Sequence, residues 1–308
     1  MTEPEQKVWN DKIITIFKTL RSHNWIKNLI IFAPLVFSGR FTQMSLDLRA
    51  IMAFICFCIV SSAIYIINDV CDKSEDQQHP MKKNRPIASG AIASRYAVLI
   101  SIFLISIGLA LTYLLGFSVF IYILLYILIS IAYSLVIKHI AILDVLTIAF
   151  GFVLRILIGG LAVSVVPSYW LILCTVMISI FLGFTKRRAE LVTNGHENNN
   201  SRPVLKDYSI SFLDQVIPMV TGATILAYAL YTVDEHTQMV LGTTAMLLTL
   251  PFVIYGLLRY IYIIYHLHKG ADPAVTIITD IPTVINLFLW VAASLIIVKY
   301  GYKFDIFH

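Results

Sequence analysis

One acidic run in this sequence has a spacing that could do chemistry. Asn68-Asp69-Val70-Cys71-Asp72-Lys73-Ser74-Glu75-Asp76 stands directly after about twenty almost wholly apolar residues. If helix continues through residue 76, Asn68, Asp69, Asp72 and Asp76 share one helical face. Carboxylates gathered so closely repel one another unless a cation lies among them. Oxygen-only ligands suit a hard ion, and Mg²⁺ commonly bridges one or two carboxylates to the phosphates of a substrate. Lys82, Lys83 and Arg85 follow at once and are able to hold phosphate oxygens directly. Metal and basic residues together describe a diphosphate site. The same pattern also describes a solvated loop with capping acids, and charge spacing alone leaves both readings open.

The elements that must position these residues are membrane spans. The chain has 58% hydrophobic and only 13% charged residues, with a mean hydropathy of +0.82, whereas soluble domains carry roughly a quarter charged residues. Apolar runs long enough to cross a hydrocarbon core recur along the whole length. They predict nine spans, over residues 25–39, 48–67, 92–115, 117–137, 142–163, 168–185, 212–232, 238–258 and 282–300, the first short and interrupted by Pro34. The connections are too short for separate domains, so residues 1–308 read as one all-α, multi-pass membrane bundle. With the N-terminus inside, 17 of the 23 Lys and Arg residues fall on cytoplasmic segments and four on the opposite side, as the positive-inside rule demands. Residues 1–24 are polar, with no apolar stretch of the kind a cleavable signal peptide needs, and read as a cytoplasmic segment.

Several classes drop out. Cys56, Cys58, Cys71 and Cys174 show no CxxC pairing, and the eight histidines form no HExxH motif, which removes zinc and redox chemistry. The net charge of +5 follows from topology and attraction to membrane lipids, and nucleic acid needs no invoking. Ionisable residues within spans are costly unless they face a cavity or a partner. Asp144 and Arg155, eleven positions apart, share a helical face about 16 Å apart along the axis. Arg155 therefore either meets an anionic substrate group at depth or ties helices together through carbonyls and a carboxylate. Arg259 and Asp272 are weaker candidates, with headgroup anchoring and loop solvation as their alternatives.

The acidic run resembles the NDxxDxxxD signature of the UbiA superfamily of intramembrane prenyltransferases, and "KNRPIASG" (83–90) resembles the segment that follows it. Other stretches, "RSHNWIKNLIIFAPL" (21–35), "YSLVIKHIAILDVLTIAFGFVLRILIGGLA" (133–162), "KRRAEL" (186–191) and "LRYIYIIYHLHKGADP" (258–273), resemble the polyprenyl-phosphate phosphoribosyltransferase branch. The resemblance implies a helical bundle in a bacterial inner membrane, with a central cavity open laterally to lipid. It implies catalytic and metal-holding roles for Asn68, Asp69, Asp72 and Asp76 on Mg²⁺. The substrates it implies are 5-phosphoribosyl 1-diphosphate and a polyprenyl phosphate such as decaprenyl phosphate, joined for cell-wall arabinose synthesis. Lys27, Asn28, Tyr133, Lys138 and Asp144 would line the cytoplasmic entrance. Where aromatic prenyltransferases carry a second aspartate cluster, this chain has Lys186, Arg187, Arg188 and Glu190. Those cations would meet the additional phosphates of such a substrate pair, or merely anchor a span at the headgroups. A prenyl-diphosphate-dependent aromatic prenyltransferase of the same fold is the alternative. A lipid or anion transporter is a third reading, disfavoured because no broken pair of spans stands out and charge crowds one face. A homo-oligomer is compatible with all three.

Overall fold

The computed structural model describes residues 15–41, 43–78, 82–194, 203–267 and 273–300. The architecture is an all-helical membrane bundle. An eleven-residue 3₁₀ helix, Ser22–Phe32, runs into the short α1 (Ala33–Phe37). Then come α2 (Met44–Cys71), α3 (Lys73–Gln78), α4 (Ser94–Leu115), α5 (Phe117–Leu135), α6 (Leu143–Val163), α7 (Tyr169–Asn194) and α8 (Ile210–Val233). The chain continues through α9 (Glu235–Leu241), α10 (Leu250–His266), α11 (Pro273–Thr279) and α12 (Ile281–Tyr300).

Among the described residues, eight helices are long and apolar enough to cross a membrane. The predicted ninth, 25–39, is the 3₁₀ segment with α1. Pro34 occupies the first turn of α1, where its missing N–H costs nothing. Gly159 of α6 lets this segment lie directly on that helix: a Cβ there would stand 2.1 Å from the Ile31 carbonyl oxygen. The predicted span 238–258 shifts toward the C-terminus, to Ala245–His266. Gly242, at φ +66, ends α9 in the left-handed region, so a continuous apolar run divides where glycine permits the turn.

Two apolar cores flank α6. One joins the 3₁₀ segment, α2, α5 and α6 through Ile31, Phe57, Ile123, Leu154 and Ile158. The other joins the start of α6 to α7, α8 and α10 through Val145, Phe181, Leu213, Ile217 and Tyr260. Because α6 belongs to both, it fixes how the charged ends of the two halves face each other.

Helix α2 stops at Cys71 instead of running on through residue 76. Asp72 takes a turn conformation at φ −88°, ψ 5°, in keeping with the tendency of aspartate side chains to compete with helical backbone bonding. The i to i−4 bonds nevertheless persist across the break, from Asp72 N–H to Asn68 O at 2.9 Å and from Asp76 N–H to Asp72 O at 2.8 Å. The acidic stripe therefore survives the interruption.

Candidate active site

The stripe resolves into two columns, each facing cations from other parts of the chain. Asp69 and Asp76 are both buried and converge on one nitrogen: Arg85 Nη1 donates to Asp69 Oδ1 at 3.1 Å and to Asp76 Oδ2 at 2.5 Å. Arg21 adds a fork on Asp69, with Nε at 3.2 Å from Oδ2 and Nη2 on Oδ1. In the second column, Lys138 Nζ pairs with Asp72 Oδ1, and Asn68 Nδ2 donates to Asp72 Oδ2 at 2.8 Å. Ser134 Oγ in turn donates to Asn68 Oδ1 at 3.1 Å. Lys138 reaches the stripe because the chain turns through the 3₁₀ helix Ile137–His139 between α5 and α6.

Among the described residues, no three acidic, histidine or cysteine side chains form a ready metal cage. Mg²⁺ needs only one or two protein carboxylates when substrate phosphates complete its shell. The Arg85 guanidinium marks a point where one positive group already sits between Asp69 and Asp76. In donor chemistry and convergence, the residues fit a hard divalent ion.

The second charged cluster closes on itself. Arg187 is 1% exposed; its Nε donates to Asp144 Oδ2 at 2.7 Å and its Nη1 to Glu190 Oε2 at 2.8 Å. The other oxygen of Asp144 accepts from Tyr208 OH at 2.7 Å. Burial, reinforced by the bond to Asp144, pushes the Tyr208 hydroxyl well above the usual phenol range, so it stays protonated and able to donate. Arg188 donates to Asp214 Oδ1 at 2.5 Å and stacks over the Tyr265 ring at 3.7 Å, while Tyr265 OH donates to the same carboxylate oxygen at 2.8 Å. Both arginines thus join helices, and their donors turn toward protein carboxylates. Lys186 and Tyr133 are half-buried beside them, and Tyr133 is within electrostatic range of Arg187.

A family model described as the UbiA prenyltransferase family matches residues 30–291. This chain belongs to that family. It is a multi-pass membrane transferase, as its family and its apolar helices indicate. Decaprenyl-phosphate phosphoribosyltransferase of Corynebacterium glutamicum is 31% identical over 252 residues, covering 80% of this chain and 75% of the relative. The enzyme of the same name from Mycolicibacterium smegmatis is 32% identical over 220 residues, covering 70% and 69%. A solved UbiA homolog from Archaeoglobus fulgidus, bound to DMAPP and Mg²⁺, superposes with a TM-score of 0.69 at 18% identity, covering 92% of this chain and 99% of that one. That likeness establishes a UbiA fold.

In this UbiA bundle Arg155 does not meet Asp144. It is 6% exposed and donates to Asn28 Oδ1 at 3.0 Å, Gly151 O at 2.8 Å and Tyr126 OH at 3.3 Å. Its guanidinium lies over the rings of Phe57, Phe152 and Tyr126 at 4.8, 5.0 and 5.2 Å. These contacts join α6 to the 3₁₀ segment and α5, and carbonyl, amide and aromatic faces, without the carboxylate expected of a tie, disperse its charge in apolar surroundings. Asn28 completes the tie by donating to Ser61 Oγ at 3.1 Å and Cys58 Sγ at 3.3 Å. Lys27 is half-buried and donates to Asn24 Oδ1 at 2.7 Å. Lys82 is half-buried and Lys83 exposed in the turn that carries Arg85. Arg259 pairs with Asp280 at 2.8 Å, and Asp272 lies outside the described residues.

A cavity of about 250 Å³, lined by Phe37, Arg40, Tyr231 and His236 among others, opens at the other end of the bundle, away from the acidic stripe. Sequence reasoning missed Arg21, Ser134, Tyr208 and Asp214. Arg21 had one signal, its place at the head of a family-like block, but nothing in its spacing tied it to Asp69. Tyr208 had none.

Proposed function

We propose that this UbiA enzyme transfers the 5-phosphoribosyl group of 5-phosphoribosyl 1-diphosphate to a polyprenyl phosphate, such as decaprenyl phosphate, and releases diphosphate. The observation that carries this reading is the pair of curated relatives, each above 30% identity and named for that activity. The collar of Arg21, Arg85 and Lys138 around the acidic stripe supports it.

The bond from ribose C1 to the diphosphate oxygen breaks as a bond from C1 to the acceptor phosphate oxygen forms. Positive charge grows on the sugar ring and negative charge on the leaving diphosphate. Bound Mg²⁺ would neutralise that leaving group; Asp69, Asp72 and Asp76 would offer the one or two carboxylates it needs, with Asn68 as a neutral ligand. Arg85 and Lys138, now on carboxylates, are placed to turn onto phosphate oxygens when the acidic groups take a metal. Lys82, Lys83, Lys27, Lys186 and Tyr133 supply further polar contacts at the entrance. Asp144, Arg187, Arg188, Glu190, Asn28 and Arg155 hold the helices that present them. The acceptor is already an anion, so no general base is required.

The enzyme would sit in a bacterial inner membrane as a single domain, with residues 69–91 and 186–211 on the cytoplasmic side. Single cysteines placed at positions 78 and 198 should resist a membrane-impermeant thiol reagent in intact cells; labelling of either would overturn that orientation. The test of activity supplies purified protein and Mg²⁺ with polyprenyl phosphate plus phosphoribosyl diphosphate, and separately with polyprenyl diphosphate plus 4-hydroxybenzoate. A phosphoribosylated lipid in the first mixture alone is expected. Product in the second alone would reassign the substrates while leaving the family in place.

A further inference from the structure

The backbone stores strain at Ile142, just before α6. Its φ of 70° and ψ of −49°, with Leu143 N–H bonded to Ala141 O at 2.8 Å, form a γ-turn of the positive-φ kind, which is rare and strained. A β-branched residue is among the least suited to that region. Strain of this sort persists only where the surroundings over-determine it, and here the restraint is visible. Ile142 N–H donates to Tyr208 OH at 2.6 Å, and the same hydroxyl donates to Asp144 Oδ1 at 2.7 Å. Asp144 is in turn locked by Arg187. Tyr208 is 2% exposed, its ring set against Phe184 and Phe212 at 6.3 and 6.2 Å. Four residues before Ile142, on the same connection, stands Lys138 with its ammonium group on Asp72.

We propose that Tyr208 is a positioning residue. Its hydroxyl latches the strained turn at Ile142 and thereby fixes the 136–142 connection that holds Lys138 against the acidic stripe. The connection before α8 and the closed Asp144–Arg187 cluster thus become part of the geometry of the first motif, although neither touches it. Tyr208 acts through Lys138 and touches no substrate. This inference rests on the proposed role of Lys138 in holding diphosphate.

The test is a double-mutant cycle on the full chain in detergent or nanodiscs, with inorganic diphosphate plus Mg²⁺ as the calorimetric probe. Tyr208→Phe keeps the ring and removes the hydroxyl. It should weaken diphosphate binding about tenfold, as Lys138→Ala should, each about one decade of affinity. The double variant should bind no more weakly than Lys138→Ala, because the latch matters only through that lysine. Adding Ile142→Gly to Tyr208→Phe should recover most of the loss, since glycine adopts positive φ without strain; a purely structural role of the ring would not respond. Full additivity of Tyr208→Phe and Lys138→Ala, or unchanged binding in Tyr208→Phe, overturns the latch while Lys138 keeps its role. Unchanged binding in Lys138→Ala overturns the role of Lys138 and the latch with it. If Tyr208→Phe alone fails to fold, a folded Ile142→Gly/Tyr208→Phe protein with near wild-type binding sustains the latch, and its failure to fold as well overturns it.

Discussion

Two ionic clusters cap neighbouring helices, and they follow opposite rules. Around Asp69, Asp72 and Asp76 the cations come from separate segments and keep some contact with solvent, Arg85 with 28% of its side chain and Lys138 with 12%. Around Asp144 the Arg187 side chain is 2% exposed, and both carboxylate oxygens are already engaged. A charge that retains water and a choice of partners is able to exchange them when a ligand arrives. A charge sealed among fixed partners has no such exchange open to it, because leaving either partner uncompensated is costly. Lysine and arginine content at a membrane face therefore does not by itself mark a phosphate site.

The largest consequence falls on the sealed cluster. Arg187→Ala strands the buried carboxylate of Asp144 and should cost about 3–5 kcal/mol of stability, read as a large drop in thermal midpoint or as loss of folded protein. A stable Arg187→Ala protein with only a raised donor KM would break the comparison. Next comes Asp72→Asn in the open cluster. It keeps a polar group opposite Asn68 and should lower Mg²⁺-dependent turnover about 100- to 1,000-fold, with a thermal midpoint near that of the wild type. Normal turnover and metal dependence would remove Asp72 from the site.

Arg85→Ala should act more gently. Charge-assisted bonds of this kind are worth about 1.5–3 kcal/mol, so the donor KM should rise roughly 10- to 100-fold. Asp69 retains Arg21, but the buried Asp76 loses its ion-pair partner, so the thermal midpoint should fall as well. The smallest effect is expected at Arg188. It adjoins Arg187 in sequence but pairs with Asp214, whose side chain is 38% exposed. Arg188→Ala should cost about 1 kcal/mol or less from the ion pair, with stacking on Tyr265 adding a little, and should leave the donor KM within about twofold. A KM change as large as that of Arg85→Ala would move Arg188 from the tie to the phosphate site.

Much of this was legible in one dimension. Hydrocarbon thickness sets the length of an apolar run, so seven of the nine predicted spans correspond to helices, though the one predicted over 168–185 runs on to Asn194 and carries residues 186–190 within it, and the two that differ are where Pro34 and Gly242 intervene. The stripe of Asn68, Asp69, Asp72 and Asp76 was equally visible, because helical periodicity converts spacing into a face within one element. The break at Asp72 was not, since a backbone turn that preserves i to i−4 bonding on both sides leaves the spacing unaltered.

The sequence by itself determined the membrane bundle, the acidic stripe and the concentration of basic residues near it, since each depends on residues close together in the chain. Only the tertiary structure decided which cation meets which carboxylate. Arg21 lies 48 positions from Asp69, and Lys138 lies 66 from Asp72. Arg155 meets Asn28, 127 positions away, while Arg187 takes Asp144 at a separation of 43. The reason is physical: an ion pair is selected by distance and burial across packed helices, and both are fixed by how α6 seats between the two cores, a property of the whole bundle that no local spacing encodes.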